Sequence, residues 1–281
     1  MKILLISSDG LIGSYLNLSL RANHKLYVTS RNEIGKNIVY FDLEKSHVEV
    51  LQLIKLKNIE YIIWLIGKTN IDYCEKNPKS FLINCELTIN FFDKLKHLSI
   101  PIIYFSTNAV FDCKLKPPSE YDVTCPACNY GIQKDYVEKY LINNYFNYSI
   151  IRVSKVISKK NNFFVNLTNA ITKKTPLNIY SDLYFSPISL SYIHNFLLMH
   201  INNFNVGIYH LSSNDSITYE NFTKLYFLKK GLKLSNFDNI KFVSSSDVKF
   251  KPEYASLLMN FTKKTYKINY ESIDESIDSI L

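Results

Sequence analysis

Short apolar runs alternate with longer amphipathic segments over the first 150 residues of the chain. The runs are typical of buried parallel strands, and the amphipathic segments are typical of helices packed on a sheet. The strands are predicted at residues 2–7, 26–29, 38–41, 61–66, 101–106 and 149–153. The helices are predicted at residues 11–20, 46–56, 78–98 and 130–143. This alternation indicates a parallel, doubly wound α/β sheet.

The pattern becomes less regular after residue 153. Helices are expected at 163–173, from about 187 or 189, and at 218–230, with a strand at 207–211. We therefore predict two parts, residues 1–154 and a smaller α/β part at residues 155–281, interleaved with the first. Within the first part, Ser46 and Glu49 have the spacing of a capping box, so the second helix is expected to begin at Ser46.

Charge and hydropathy narrow the classes of partner. The net charge is +8, but the lysines are scattered, with no arginine cluster, which disfavours nucleic acid. The charge still favours attraction of an anionic small molecule. No apolar run is long enough to span a membrane, and the N-terminal run is too short for a signal peptide. We expect a cytoplasmic protein that binds neither membranes nor nucleic acid.

The first strand-to-helix turn, LLISSDGLIGSYL, predicts a dinucleotide site. Gly10 and Gly13 are three residues apart between the strand and the helix, where the backbone turns tightly and approaches a pyrophosphate. The start of the helix then supplies N–H groups to the phosphates. Ser7 stands where a G-x-x-G-x-x-G motif would have its first glycine. In its α/β context, the turn predicts that residues 1–154 form a Rossmann-type cofactor-binding domain.

The identity of the cofactor is predicted from the end of the second strand. Ser30 and Arg31 stand there instead of an acidic residue, and an arginine can hold a 2′-phosphate. We therefore predict NADP(H), with NAD(H) as the open alternative. Asp42 is placed to bond the adenine amino group, and Gly67 lies near the point where the cofactor crosses the sheet. The predicted cofactor-binding residues are Ser7, Gly10, Leu11, Ile12, Arg31, Asp42, Leu43, Leu65, Gly67 and Lys134.

Tyr130 and Lys134 form a Y-x-x-x-K pattern one helical turn apart. The ordinary pKa of tyrosine is about 10, and a nearby cation would lower it toward the working pH. The sequence YFSTNAVFD places Thr107 at the carboxyl end of the fifth strand, where ligands bind in such sheets. We predict Thr107, Tyr130 and Lys134 as the catalytic residues. Lys134 is also expected to hold the nicotinamide ribose.

These motifs resemble those of the extended short-chain dehydrogenases/reductases, and most of all the dTDP-4-dehydrorhamnose reductases and related sugar-nucleotide reductases. STNAVFD is similar to the S-T-D-Y-V-F-D segment of that family, and PACNYGIQKDYVEKY to P-x-N-x-Y-G-x-S-K-x-x-x-E. Asn84 falls on a recurrent asparagine after the fourth strand. The likeness extends to the C-terminal segments GIYHLSS and KPEYASLLMNFTKKTYKIN.

The resemblance implies NAD(P)H-dependent reduction of a nucleotide-linked 4-keto-6-deoxy sugar, a nucleotide-sugar partner, and a part 155–281 that binds the substrate. The family is often dimeric, which leaves a homodimer open. Asn108 and Ala109 depart from the family pattern, which has aspartate and tyrosine after the catalytic residue. Sugar 4,6-dehydratases have an acidic pair directly after this residue, and fucose-type epimerase/reductases have a cysteine at the position of Ala109. This chain has neither feature. Two alternatives stay open: a catalytically silent NADP-binding regulatory subunit, and a sugar-nucleotide epimerase of the same superfamily.

Cys125 and Cys128 form a C-x-x-C pattern just before Tyr130, which could indicate a redox pair or half of a zinc site. A zinc site needs a second pair of ligands, and neither the other cysteines nor the six histidines supply one at metal-binding spacing. Pro126 occupies the proline position of the family motif. We therefore interpret the two cysteines as flanking a loop position, and we predict no metal.

Overall fold

The computed structural model describes residues 1–32, 35, 37–246 and 248–281. The chain divides into two compact units. Unit 1 contains residues 1–111, 123–153 and 194–209, and unit 2 contains residues 112–122, 154–193 and 210–281. One boundary falls at residue 153, next to the boundary drawn from the sequence. Residues 112–122 belong to unit 2 although they lie within the first part of the chain, and residues 194–209 belong to unit 1 although they lie within the second part. The two units are therefore interleaved along the chain.

Thirteen strands and eleven helices lie within the described residues. The strands are β1 (Lys2–Ile6), β2 (Lys25–Ser30), β3 (Ile38–Tyr40), β4 (Tyr61–Trp64), β5 (Ile102–Thr107), β6 (Tyr148–Val153), β7 (Lys155–Ile157), β8 (Leu177–Tyr180), β9 (Tyr184–Phe185), β10 (Pro187–Ser189), β11 (Gly207–Leu211), β12 (Ile217–Thr218) and β13 (Ile240–Val243). The helices are α1 (Leu11–Ser19), α2 (Val48–Lys57), α3 (Ile71–Lys76), α4 (Lys79–Phe81), α5 (Leu87–Leu95), α6 (Asn129–Asn144), α7 (Asn162–Lys173), α8 (Leu190–Asn202), α9 (Tyr219–Lys229), α10 (Asn260–Tyr266) and α11 (Ile273–Asp278).

The main sheet has seven strands in the order β11-β6-β5-β4-β1-β2-β3. The pairs β1–β2, β1–β4, β2–β3, β4–β5 and β5–β6 are all parallel. The strand order reverses between β1 and β4, so α1 and the segment after β4 leave the sheet at a topological switch point. Ligands of open α/β sheets bind outside the carboxyl ends of the strands at such a point. The predicted doubly wound α/β fold is confirmed.

The central strands of this sheet are largely apolar because both faces are covered. Ile3, Leu4, Leu5 and Ile6 of β1 are fully buried. Side chains from β1, β2, β4, β5, α2, α5 and α6 share one hydrophobic cluster, with Trp64 packed against Phe91 and Phe92. Burying each large aliphatic or aromatic side chain stabilises the fold by about 1.5–3 kcal/mol. The buried β1–β4–β5 centre therefore forms a rigid base for the loops at the carboxyl edge.

Among its described residues, unit 2 contains three two-stranded sheets. β7 pairs with β10 and β8 with β13, both parallel, while β9 pairs with β12 in antiparallel fashion. Their core is a second cluster that includes Phe164, Phe185 and Phe222. No helix in the described part of the chain is both long and apolar enough to cross a lipid bilayer.

Two helix predictions are corrected by the structure. α2 begins at Val48 with His47 as its N-cap residue, so the capping box at Ser46 and Glu49 is wrong. The ring Nε2 of His47 lies 3.0 Å from the Leu43 carbonyl oxygen, which holds this side chain just before the helix. The single helix expected over residues 78–98 is interrupted by a π-helical turn at Leu82–Glu86. Such turns insert one residue into a helix and often occur at functional sites.

Candidate active site

The glycine-rich turn between β1 and α1 has the backbone that a nucleotide site needs. Ser7 adopts φ 75°, the left-handed region that favours glycine, at the position where the motif would have its first glycine. An added Cβ on Gly13 would lie 2.1 Å from the Ser7 carbonyl oxygen, so only glycine lets α1 pack this close to the turn. An added Cβ on Gly10 would meet no atom of the described chain within 4 Å. The turn is therefore tight on its inner side and open on its outer side.

The start of α1 is suited to hold a pyrophosphate. The first N–H groups of a helix have no partner within the helix, and no side chain of the described residues caps α1. Its first turn also contains no acidic side chain that would oppose an anion. Leu11 and Ile12, both predicted to bind the cofactor, are the first two residues of this helix and are half-buried. These residues fit a dinucleotide.

The end of β2 is tied to the same turn by a carboxylate that the sequence analysis did not single out. Asp9 accepts a hydrogen bond from the Ser30 hydroxyl at 2.7 Å and another from the Arg31 backbone N–H at 2.9 Å. Ser30 is buried, whereas Arg31 is exposed. Arg31 thus follows the end of β2 directly and is exposed. Its contact with a 2′-phosphate stays a prediction.

The other predicted cofactor residues follow β3 and β4 at the carboxyl edge. Asp42 is partly exposed, and its carboxylate accepts the backbone N–H of Glu44 at 3.1 Å in a local turn. Leu43 is buried in the hydrophobic cluster of unit 1 and offers little surface to a ligand. Leu65 and Gly67 are half-buried directly after β4. Of these four residues, only Leu43 has a side chain in the hydrophobic core cluster of buried residues.

Thr107 and Tyr130 are brought together at the carboxyl end of β5. Thr107 is the last residue of β5, and its hydroxyl accepts the backbone N–H of Ala109 at 3.2 Å. Tyr130 lies in the first turn of α6, and the Thr107 side chain is near enough to its phenol to influence the phenol's pKa. Both side chains are almost fully buried. The two hydroxyls thus form a pair of hydrogen-bonding groups fixed by a strand end and a helix start.

Lys134 lies one turn further along α6 and points beneath this pair. Its ammonium donates a hydrogen bond to the Phe105 carbonyl oxygen at 2.7 Å and lies 4.5 Å from the centre of the Tyr104 ring. It is only 5% exposed, and burial lowers its pKa to about 8. An added Cβ on Gly67 would lie 3.7 Å from this nitrogen. The three predicted catalytic residues and Gly67 are therefore neighbours.

The pKa of Tyr130 depends on its surroundings in the fold. Burial is the largest influence on Tyr130 and raises its pKa well above the usual value, and the nearby thiols of Cys74 and Cys128 raise it further. The Thr107 side chain lowers it. In this structure the Lys134 ammonium donates to the Phe105 carbonyl oxygen, and burial dominates the pKa of Tyr130. Tyr130 is therefore a protonated phenol at neutral pH. The predicted lowering by Lys134 stays a prediction.

Asn84 holds the loop after β4 in place beside these residues. It lies in the π-helical turn Leu82–Glu86. Its side-chain oxygen accepts the Lys68 N–H at 2.7 Å, and its amide donates to the Lys68 carbonyl at 3.0 Å and to Gln133 at 2.7 Å. Asn84 thus links the segment after β4 to α6 next to Lys134. The family resemblance marked this asparagine, but its contacts follow only from the fold.

Two further carboxylates fix α6, which carries Tyr130 and Lys134. Glu75 on α3 accepts the backbone N–H of Asn129 at 2.7 Å and its side-chain amide at 3.1 Å, at the first residue of α6. Glu138, one turn after Lys134, pairs with Arg152 on β6 at 2.6 Å, with side chains only 1% and 3% exposed. The Ser106 hydroxyl also donates to Glu138. A buried pair of this kind is weak evidence for added stability, because the cost of burying two charges offsets much of their attraction.

Cys125 and Cys128 differ in their surroundings. Cys125 is exposed, whereas Cys128 is buried at the N-cap position of α6. Burial raises the pKa of the Cys128 thiol, which disfavours the thiolate that metal binding and redox chemistry require. Within the described ranges of the chain, no three His, Cys, Asp or Glu residues are grouped as metal ligands. The interpretation of this pattern as a bystander stays a prediction.

The comparison with protein families decides the assignment. The model of the RmlD substrate binding domain family matches residues 1–281, the whole chain. The chain belongs to this family. The resemblance predicted from the motifs is thereby confirmed. No curated protein sequence matches the chain.

Solved structures agree with this family assignment at the level of the fold. The dTDP-4-dehydrorhamnose reductase of Bacillus anthracis, in complex with NADP, has a TM-score of 0.85 at 20% identity and covers 99% of this chain and 97% of its own. A hypothetical dTDP-4-dehydrorhamnose reductase of Sulfolobus tokodaii has a TM-score of 0.84 at 21% identity, with 100% of both chains covered. The UDP-glucose 4-epimerase of Thermotoga maritima, with UDP-glucose, has a TM-score of 0.80 at 16% identity and covers 99% and 98%.

Proposed function

We propose that this member of the RmlD substrate binding domain family is an NAD(P)H-dependent reductase of a nucleotide-linked 4-keto-6-deoxy sugar. The observation that carries the proposal is that Thr107, at the end of β5, lies beside Tyr130 in the first turn of α6, with Lys134 one helical turn further on. A solved relative in complex with NADP and others described as dTDP-4-dehydrorhamnose reductases support the same reading. The bound nicotinamide would supply a hydride to C4 of the sugar.

The turn at Gly10 and the first residues of α1 would hold the pyrophosphate, as their open outer side and uncapped N–H groups suggest. Arg31 would lie beside a 2′-phosphate, which favours NADP(H) over NAD(H). Lys134 would bond the nicotinamide ribose through the face of its ammonium that does not contact Phe105. Each of these contacts involves residues of unit 1 alone.

Tyr130 would act as the general acid of the reduction. Hydride addition turns the carbonyl oxygen into an alkoxide, which is a much stronger base than a phenolate. Because burial raises the pKa of Tyr130, the phenol keeps its proton at neutral pH until the alkoxide forms. Thr107 would bond the same oxygen and orient the carbonyl, as its position beside Tyr130 permits. Proton donation of this kind contributes about 10²–10⁴-fold to a rate.

The test is consumption of NADPH with a panel of nucleotide-linked 4-keto-6-deoxy sugars, followed by absorbance and by analysis of the sugar product. Tyr130→Phe removes one hydroxyl and is expected to lower kcat by about 10²–10⁴-fold, with NADPH affinity nearly unchanged. Tyr136→Phe is the matched control, because this tyrosine lies on the same helix, is 51% exposed and contacts Phe81. Its kcat is expected to equal that of the parent.

Three outcomes would contradict the proposal. Turnover of Tyr130→Phe within about threefold of the parent would exclude Tyr130 as the acid. Cofactor binding without any turnover would favour the silent regulatory subunit. A changed sugar without net loss of NADPH would favour the epimerase. Location in the cytoplasm and a homodimeric state remain predictions that accompany this function.

A further inference from the structure

Asp9 occupies a place that the proposed cofactor chemistry does not explain. It precedes Gly10 in the phosphate-binding turn and is exposed. Its two carboxylate oxygens are used separately, one for the Ser30 hydroxyl at 2.7 Å and one for the Arg31 N–H at 2.9 Å. The carboxylate therefore bridges the turn after β1 to the end of β2, next to the side chain predicted to attract a 2′-phosphate.

The adenosine ribose of a dinucleotide lies between these same two segments, since the turn holds the pyrophosphate and the end of β2 contacts the ribose hydroxyls. A carboxylate at this position can accept a hydrogen bond from a ribose hydroxyl. It repels a 2′-phosphate, which carries nearly two negative charges at neutral pH. Arg31 and Asp9 thus act in opposite directions on the one group that distinguishes NADPH from NADH.

We propose that Asp9 is a specificity-determining residue that reduces the preference for NADPH created by Arg31. The inference rests on the proposed function, because it requires that the turn binds a dinucleotide. A purely structural role for Asp9 would alter stability but would leave the ratio of the two affinities unchanged. That ratio is therefore the deciding quantity.

The experiment is calorimetric titration of NADPH and NADH into the parent chain and into Asp9→Asn. Asparagine keeps the shape and one acceptor oxygen but removes the charge. The ratio of NADPH to NADH affinity is expected to rise by about three- to tenfold, the effect of one partly solvated charge on a doubly charged group. Glu49→Gln removes an exposed carboxylate from α2 and is the matched control, with no change in the ratio expected.

Arg31→Ala should lower the same ratio, by a few-fold to about a hundredfold, because it removes a charge-assisted contact. Asp9→Ser serves as a second variant if the asparagine perturbs folding, and thermal unfolding of each variant checks this. An unchanged or lowered ratio in a folded Asp9 variant would overturn the inference while leaving the reductase intact. Failure of both nucleotides to bind the parent would overturn the proposed function and, with it, this inference.

Discussion

Lys134 gives a prediction in which the candidate active site lowers the stability of the fold. The side chain is 5% exposed, and burial lowers its pKa from the ordinary 10.5 to about 8. Each unit by which a pKa is lowered in the folded state corresponds to about 1.4 kcal/mol against the charged form. The charged ammonium therefore costs the folded state about 3 kcal/mol at neutral pH. Lys134→Met removes this cost and keeps a similar apolar stem.

The sign and the pH window follow from the two pKa values. Below pH 8 the ammonium is charged in both states, so the full penalty acts on the folded protein. Between pH 8 and pH 10.5 the folded state releases its proton first, so the stability of the parent rises with pH. The free energy of unfolding of Lys134→Met lacks this rise. The lost bond to the Phe105 carbonyl adds an offset to this difference, but the offset changes little with pH.

The assay is urea-induced unfolding of both proteins at pH 7 and pH 10. The difference in free energy of unfolding, variant minus parent, is expected to fall by about 2.5 kcal/mol between the two pH values. Lys139→Met is the matched control, since its ammonium lies on the same helix but is 62% exposed. Its difference from the parent should change by less than about 0.5 kcal/mol. A constant difference for Lys134→Met would refute the reasoning about its burial.

Two further predictions concern glycines and cysteines of the same region. Gly131→Ala places a Cβ 2.0 Å from the Ala109 carbonyl oxygen and should destabilise the protein by about 1–3 kcal/mol in urea unfolding. The Cβ of Gly10→Ala meets open space, so this variant should leave stability unchanged. Equal losses in the two variants would contradict the packing argument. Replacing Cys125 and Cys128 by serine together should leave most NADPH-dependent turnover intact and release no zinc, and stoichiometric zinc in the parent would show that the C-x-x-C pattern is a metal site.

The sequence was sufficient for the framework of unit 1. Continuous apolar runs such as those in β1 and β5 are short and stand between amphipathic helices. Their length and this alternation identify them as strands. The Y-x-x-x-K spacing places Tyr130 and Lys134 on one face of α6, because residues four apart in a helix are neighbours. Such features depend on the spacing of nearby residues, which can be read directly from the sequence.

Short elements escaped prediction for the converse reason. β7, β9, β10 and β12 have two or three residues each, too few for a period to be read. β13 pairs with β8 across more than 60 residues, and this pairing alone makes the segment a strand. The capping box at Ser46 was also wrong, because the helix begins two residues later, at Val48.

The candidate site was likewise predictable from the sequence only in part. Residue types and spacing were enough to nominate Thr107, Tyr130 and Lys134. Only the tertiary structure brought Asp9 to the end of β2, 21 residues away, and Glu138 to Arg152. It also decided the direction in which the pKa of Tyr130 moves, because burial depends on everything packed around a side chain. A sequence states which groups are present, whereas the fold sets their distances and their access to water, and these determine what each group can do.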